Sequence, residues 1–359
     1  MTSLIPTPLK EVHLYLGAQM GEFAGWEVAS VYSNSIEESE AVRKDVGAFD
    51  VSHMGRIMIE GKDAQNLLDL IITKNVKKLD IGRIIIPAAI LNDKAGFIDD
   101  VSLFRITEES YLLVCNAINR EKVKKWIEEK SKEFKLNVMV KDITLETTMI
   151  AVQGRSIGRI EELNLDIDKE SFLQNIKLFD AEVKIISRSG WTGEEGYEII
   201  TDVENGRKLW KKLVEIKIKP CGIIARDILR LEAGFLLYGN EINENTNPVM
   251  ARYWIFSLKK ENFIGKKEIE RILNEGVEEQ RIGLVMKEKG PIPRHGNEIY
   301  SINKKIGYIT SGGYSPTLNK GIAMGYVKST HALLGRTVYV EIRNKLYEAK
   351  IVEPPFFHK

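Results

Sequence analysis

Cysteine is scarce in this chain: Cys115 and Cys221 are the only two in 359 residues. Two are too few for a disulfide framework, and neither sits in a C-x-x-C pair, so a reducing, cytoplasmic setting is the expectation. No charge of one sign dominates, because 52 Lys and Arg stand against 51 Asp and Glu, a formal net charge of +1. That balance argues against nucleic-acid or membrane-surface binding, which draws on a basic excess. The Lys-rich stretch 122–136 is interleaved with Glu at helical spacing and reads as a solvated helix face. Long apolar runs are missing as well. The longest, 84–91, is interrupted by Pro87 and falls far short of the ~18 residues of a spanning helix. The opening MTSLIPTP lacks a basic region followed by an apolar core, so no signal peptide is expected. The histidines (His13, His53, His295, His331, His358) are scattered, with no H-E-x-x-H, and no metal site is expected. There is no P-loop. Gly17, Gly21 and Gly25 are spaced by four, unlike the G-x-G-x-x-G of dinucleotide folds. No G-x-S-x-G elbow is present.

What is there describes an ordinary globular chain: 43% apolar and 29% charged residues, over a length that suggests two or three domains. Ser35-Ile36-Glu37-Glu38 has a capping-box pattern and predicts a helix over 36–46, ended by Gly47. Phe49 to Ile59 turns strand-like, with Ile57 and Ile59 alternating against Arg56, Met58 and Glu60. Leu67, Leu68 and Ile71 mark a short helix. Strands are expected at 84–91, 97–104 and 111–116, a helix at 120–134, and β character again from Val138. Strands at 183–188 and 197–202 flank a Gly-rich loop. Helices follow at 205–216 and 224–233. A boundary is placed in the turn-rich 240–248, and Trp254 to Leu258 reads as a possible strand. Past Gly276 short strands (281–286, 297–301, 305–310, 321–327, 337–352) suggest a small sandwich or barrel.

Four polar constellations stand out. The turn 92–96 feeds Asp99 and Asp100 into an apolar strand. Alternation points them to opposite faces, so one of them faces inward and needs a partner. By itself this pattern is as well explained by a turn whose carboxylates accept backbone N–H groups. The loop 189–196 leads to Tyr197 and Glu198. It is either a plain hairpin or a close backbone approach to a flat ligand, with Trp191 as a stacking face and Glu198 as an acceptor. Arg226 and Arg230 lie one helical turn apart, as a surface ion-pair row or a carboxylate clamp. FDVSHMG at 49–55 reads as a strand edge with a satisfied histidine.

In order along the chain these segments resemble the aminomethyltransferase (T-protein) family of the glycine cleavage system. The matching blocks include Phe23-Ala24-Gly25-Trp26-Glu27, Ala41-Val42-Arg43, FDVSHMG, NDKAGFIDD at 92–100, Asn116-Ala117 and Val152-Gln153-Gly154. They continue with SGWTGEEGYE at 189–198, ARDILRLEAG at 225–234, LLYGNEIN at 236–243 and Arg294-His295-Gly296, and run from residue 7 to residue 318.

The resemblance implies an α+β fold, a three-domain clover-leaf around a central folate site with a mostly-β C-terminal barrel or jelly roll. Its expected domains are 1–57 with 145–245, 58–144, and 246–359. It implies transfer of a one-carbon unit from the aminomethylated lipoyl H-protein to tetrahydrofolate, releasing ammonia, with other glycine cleavage components as partners and no metal or flavin. Carried over position by position, the key acid is Asp100, the pterin-recognising glutamate is Glu198 and the folate-binding arginine is Arg226. Asn116 and Met54 line the folate pocket. Trp191 and Phe104 stand where many relatives carry Tyr, and Phe104 loses a hydroxyl. Pro87 or Ile86 replaces another Tyr, and His358 or Lys359 stands opposite a C-terminal arginine. Asp100 is suited to stabilise an iminium-like carbon, to bind the amine, or to accept a proton, and the sequence leaves these open. Two other readings on the same fold are a folate-dependent demethylase and a folate-binding iron–sulfur assembly factor. The second is disfavoured because no cysteine stands near 236–241, and fused amine oxidases because no flavin-binding half precedes the chain.

Overall fold

The computed structural model describes residues 3–357, so His358 and Lys359 lie outside the described residues. The chain divides into two compact units. Of the described residues, the first holds 3–90, 98–226 and 259–263, and the second holds 91–97, 227–258 and 264–357.

The elements begin with β1 (Ile5–Pro6), α1 (Lys10–Tyr15), β2 (Gln19–Phe23), β3 (Trp26–Val31), α2 (Ser35–Lys44), β4 (Gly47–Asp50), β5 (Gly55–Glu60) and α3 (Ala64–Ile71). Then come β6 (Ile84–Leu91), β7 (Phe97–Arg105), β8 (Ser110–Cys115), α4 (Arg120–Glu133), β9 (Met139–Asp142), β10 (Thr147–Gln153), β11 (Phe172–Leu178), β12 (Ala181–Ser187) and β13 (Gly196–Asp202). The series closes with α5 (Val203–Glu215), β14 (Lys219–Cys221), α6 (Ile223–Ala233), α7 (Lys266–Glu275), β15 (Glu279–Met286), β16 (Glu298–Ser301), β17 (Lys304–Ser315), β18 (Lys320–Lys328), β19 (Thr337–Ile342) and β20 (Lys345–Val352).

The first unit contains three sheets, in the orders β1-β3-β2, β11-β12-β13-β10-β4-β14 and β6-β7-β8-β5-β9. The six-stranded sheet has two distinct faces. On one, Ile186, Ile199 and Ile150 form a row across the strands. They share a core with Leu209, Trp210 and Leu213 of α5, all fully buried. Burying each of these side chains is worth about 1.5–3 kcal/mol, which is what holds α5 to the sheet. Asp202 caps α5 by accepting from the Asn205 N–H at 2.9 Å. Asp50 ends the same row, paired in register with Ile150. Its carboxylate pairs with His13 Nε2 at 2.8 Å, and His13 Nδ1 lies 2.7 Å from the Tyr32 hydroxyl. Thr7 and Ser52 also donate to Asp50. Burial alone would raise the Asp50 carboxyl, but these partners together hold it down at about 2, led by the His13 bond.

In the second unit β15-β18-β17-β16-β19-β20 close into a barrel around Leu284, Met286, Ile299, Ile309, Val340 and Ile351. The expected C-terminal β unit is therefore a barrel. Arg230, 1% exposed, donates to Glu241 Oε2 at 3.0 Å and to Ser311 Oγ at 2.8 Å. Glu241, fully buried, also accepts from Thr310 Oγ1 at 2.6 Å and the Leu237 N–H at 3.0 Å. Arg230 also pairs with the exposed Asp227, one turn back, at 2.8 Å, and it is thus a buried structural anchor rather than a ligand clamp.

Some local expectations fail for physical reasons. The cap of α2 is Asn34, whose Oδ1 accepts from Ile36 and Glu37. Glu38 instead reaches back to the N–H groups of Tyr32 and Ser33. Trp254 to Leu258 forms no regular strand. Arg56, expected on the polar face of β5, is fully buried.

Two stability predictions follow from these networks. Glu241→Ala takes away the buried carboxylate of Arg230, leaving it only the exposed Asp227 at 2.8 Å, and should cost about 3 kcal/mol, read as a lowered denaturation midpoint. Because the Asp50 pKa is depressed on folding, its contribution is present above the unfolded carboxyl's pKa of about 3.8 and is lost as pH falls through about 2. Acid titration of the wild type should therefore show unfolding free energy dropping in that window, and Asp50→Asn should flatten the drop.

Candidate active site

The other face of the six-stranded sheet builds a polar row. Register places Ser187 beside Glu198, Glu198 beside Ala151, Ala151 beside Phe49 and Phe49 beside Cys221. Alternation therefore sets Glu198 and Phe49 on the same face, opposite to Ile199 and Asp50. Arg226, from the first turn of α6, lies against this row. Its guanidinium carbon is 5.9 Å from the Phe49 ring centre and 5.3 Å from that of Trp191, and Nη2 is 3.9 Å from Glu198 Oε1. Arg226 is 5% exposed, yet its Nη1 has no hydrogen-bond partner within the protein. Glu198 is held from the other side by Ser189 Oγ, which donates to its Oε2 at 2.6 Å.

The loop 189–195 joins β12 to β13 as a hairpin, and three anchors fix it. Arg43 of α2 donates to Thr192 O at 2.7 Å and to Glu194 Oε1 at 3.0 Å. Gln153 Oε1 accepts from the Trp191 N–H at 3.3 Å, and the Gly154 N–H donates to Glu195 O at 2.9 Å. Gly190 lies so close to the Gln153 amide that an added Cβ would sit 1.5 Å from Nε2. A side chain there would displace the Gln153 amide that accepts from Trp191, so the constraint is one of contact rather than of dihedral freedom.

The turn 51–54 between β4 and β5 carries Ser52, His53 and Met54. Arg56 reaches under it, donating to the carbonyls of Ser52, Met54, Thr144 and Thr147 and to Thr147 Oγ1. Burial lowers its pKa to about 10, so it stays charged at neutral pH. His53 departs from expectation. It is 3% exposed and packs edge-on against Phe23, but its Nδ1 has no partner within the protein. Burial first, with Arg226 and Arg56 adding, lowers its pKa to about 4, which keeps the ring neutral at physiological pH.

The two carboxylates lie on β7. Asp99 is the inward one: fully buried, it accepts from Asn116 N at 2.9 Å, Asn116 Nδ2 at 2.8 Å and Asn119 Nδ2 at 2.7 Å. Burial and the charge of Asp100 push its carboxyl well above the ordinary range. Asp100 is half-buried and accepts from the same Asn116 Nδ2 at 2.8 Å. Phe104 shares the Asp100 face of β7 by alternation but is 1% exposed, with its ring edge-on to Phe172 at 5.3 Å. The expected site residues thus form one group of Glu198, Arg226 and Trp191, and another of Asp100 and Asn116. Met54 sits on the Arg56-anchored turn. Sequence reasoning missed Ser189, Gln153, Arg43, Arg56 and Asn119. The first three stood inside the quoted motifs as unassigned polar residues, whereas Arg56 and Asn119 carried no pattern signal.

The family model described as "GCVT N-terminal domain" matches residues 9–260, and "Glycine cleavage T-protein C-terminal barrel domain" matches 280–358. This chain belongs to the glycine cleavage T-protein family. Similar curated proteins include the "Aminomethyltransferase" of Thermosipho melanesiensis, 40% identical over 98% of this chain and 96% of its own length. Another is the "Probable aminomethyltransferase" of Aeropyrum pernix, 38% identical over 97% and 96%. Among solved structures, the glycine cleavage system aminomethyltransferase T of Bartonella henselae superposes with a TM-score of 0.92 at 31% identity, covering 99% of this chain and 98% of that one. The chain is accordingly an enzyme of the aminomethyltransferase class with the family's α+β fold.

Glu198→Gln keeps the shape and one acceptor oxygen but removes the charge facing Arg226. Tetrahydrofolate binding, read by fluorescence quenching or calorimetry, should weaken about tenfold or more, and the denaturation midpoint should fall as well, because the buried Arg226 guanidinium loses its facing charge.

Proposed function

We propose that this chain transfers the one-carbon unit of S-aminomethyl-dihydrolipoyl H-protein to tetrahydrofolate, giving 5,10-methylenetetrahydrofolate, ammonia and the dihydrolipoyl carrier, within the cytoplasmic glycine cleavage system. The observation that carries this reading is the Arg226–Glu198–Trp191 cluster on one sheet face, with a buried guanidinium nitrogen that no protein group satisfies. A flat heterocycle bearing both N–H donors and acceptors meets that need. Glu198 suits an amino group with a ring N–H, Trp191 offers a π face, and Arg226 Nη1 has a hydrogen to give. When bound, tetrahydrofolate supplies two N–H nitrogens that replace sulfur and nitrogen on the transferred carbon, and the two displaced protons leave with the thiol and ammonia.

The protein's own residues do the rest. Asp100 presents a carboxylate, oriented by the Asn116 amide, where positive charge develops on the carbon leaving sulfur. His53, neutral, adds no charge to compete with the incoming amine. Arg56 keeps the Met54 turn in place through backbone carbonyls and thereby shapes one wall. The domain organisation proposed is 1–57 with 145–245, then 58–144, then 246–359, with Met54, Phe104 and Asn116 contributing to the folate pocket.

The test is a turnover assay with aminomethylated lipoyl H-protein and tetrahydrofolate, following ammonia and methylenetetrahydrofolate together. Asp100→Asn should lower turnover about a hundredfold or more, while the folate Kd moves by less than about threefold. Turnover only with methylated small molecules would replace this reading with a demethylase. Folate binding without turnover would replace it with an assembly role.

A further inference from the structure

Asp99 and Asp100 are consecutive and point to opposite faces of β7, yet both accept from one nitrogen, Asn116 Nδ2, at 2.8 Å each. That amide has two hydrogens; the Asp99 carboxylate draws one, and Asp100 draws the other with its carboxylate at 2.8 Å and its backbone carbonyl at 3.3 Å. What fixes the Asp99 side therefore fixes one half of the amide's orientation. Asp99 is fully buried and tied by Asn116 N and Asn119 Nδ2 as well, so it grips both ends of the Asn116 residue, backbone and side chain. Asn119 is itself 2% exposed and closes the clamp from the turn that opens α4. The backbone N–H of Asn116 goes to a side chain at a point where the β7–β8 ladder has ended at Ser102 and Val114. The clamp thus takes over from the sheet where the sheet stops.

We propose that Asp99 is a positioning residue for aminomethyl transfer: acting through the Asn116 amide, it fixes the carboxylate of Asp100 and does not itself touch substrate. The proposal rests on the assignment of Asp100 to the reaction. Asp99 supplies three things to its neighbour. It helps set which way the Asn116 amide points. It occupies one amide hydrogen, leaving the other for Asp100. It also holds the strand end rigid, so that Asp100 pays little ordering cost when the carbon arrives.

The test is a double-mutant cycle on the full chain, with steady-state turnover and folate affinity as readouts. Asp99→Asn should lower kcat about tenfold or more, with folate Kd within about threefold of wild type. In an Asp100→Asn background the same change should lower kcat by less than about twofold, because a residue that acts through Asp100 has nothing left to position. If Asp99→Asn does not fold, Asn119→Ala removes one of the three clamping donors and enters the same cycle with a smaller loss. Equal losses in both backgrounds would overturn the proposal, since a purely structural role multiplies through. Unchanged turnover in the single variant, or a folate Kd weakened in proportion to kcat, would overturn it too. Wild-type protein inactive with H-protein and folate would remove the functional reading and this proposal together. Normal turnover by Asp100→Asn would remove the role of Asp100 and this proposal with it, leaving the transfer reaction standing.

Discussion

A guanidinium buried without full hydrogen bonding is among the costlier arrangements a fold can hold, and Arg226 is in that position. Burial lowers its pKa, and the charge of Glu198 works the other way. Its nearest carboxylate oxygen stands 3.9 Å away, too far for a good hydrogen bond. The surroundings compensate with polarisable faces, the rings of Phe49 and Trp191, rather than with acceptors. A structural arginine in this chain looks different. Arg56 has its donors directed to four carbonyls and a hydroxyl, and Arg230 has Glu241 and Ser311 at hydrogen-bond distance. Among the described residues Arg56, Arg226, Arg230 and Arg281 are buried, and of these only Arg226 has a nitrogen left unsatisfied. The less buried Arg105 and Arg120 each have one too, so it is the position beside Glu198 and Trp191 that marks Arg226 as the binding group.

The anchors explain why that arrangement persists. Glu198 is delivered by sheet register, and register is fixed by the opposite face, where the isoleucine row packs under α5. A slip of one residue would exchange Glu198 for Ile199 and break both faces at once. The loops over the site carry little core of their own. They are tied by single long polar side chains instead: Arg43 and Gln153 for the 189–195 hairpin, Arg56 for the 51–54 turn. These side chains act mostly on backbone carbonyls and N–H groups, so they hold position without adding a competing functional group beside Glu198 and Arg226.

Periodicity in the sequence makes most regular elements readable, because burial on one face leaves a trace: α4, α5 and the strands from β6 to β8 fall within a residue or two of expectation, and α3 carries the three apolar residues that marked it. The elements that escape it are short or flat, such as α1 with six residues and β2 with no buried residue. The capping box at 35–38 misled by one residue, since Asn34 outcompetes Ser35 for the cap while Glu38 keeps the reach-back half of the motif. For the site, Asp100, Glu198, Arg226, Asn116, Met54 and Trp191 came through family resemblance. Spacing alone left each with a bland alternative, and for Arg230 the bland direction was nearer, although the anchor proved buried. Arg56 and Asn119 were invisible because a buried arginine and a buried asparagine look like surface residues until their acceptors, 91 and 20 residues distant in the chain, fold into place.

The sequence also left undecided which of two adjacent carboxylates turns inward. Alternation demands that they differ but does not say how. The structure resolves this through β8: Asn116 follows the strand directly, its N–H has no ladder partner to donate to, and the Asp99 carboxylate takes it. Once Asp99 is committed to that backbone group, Asp100 is left on the half-exposed face. Two carboxylates so close repel, and each raises the cost of ionising the other. The shared Asn116 amide places a positive dipole between them, and burial together with the charge of Asp100 pushes the Asp99 carboxyl up. The asymmetry follows from burial: the inward carboxyl bears the penalty, and the outward one keeps access to a cation arriving from outside the sheet.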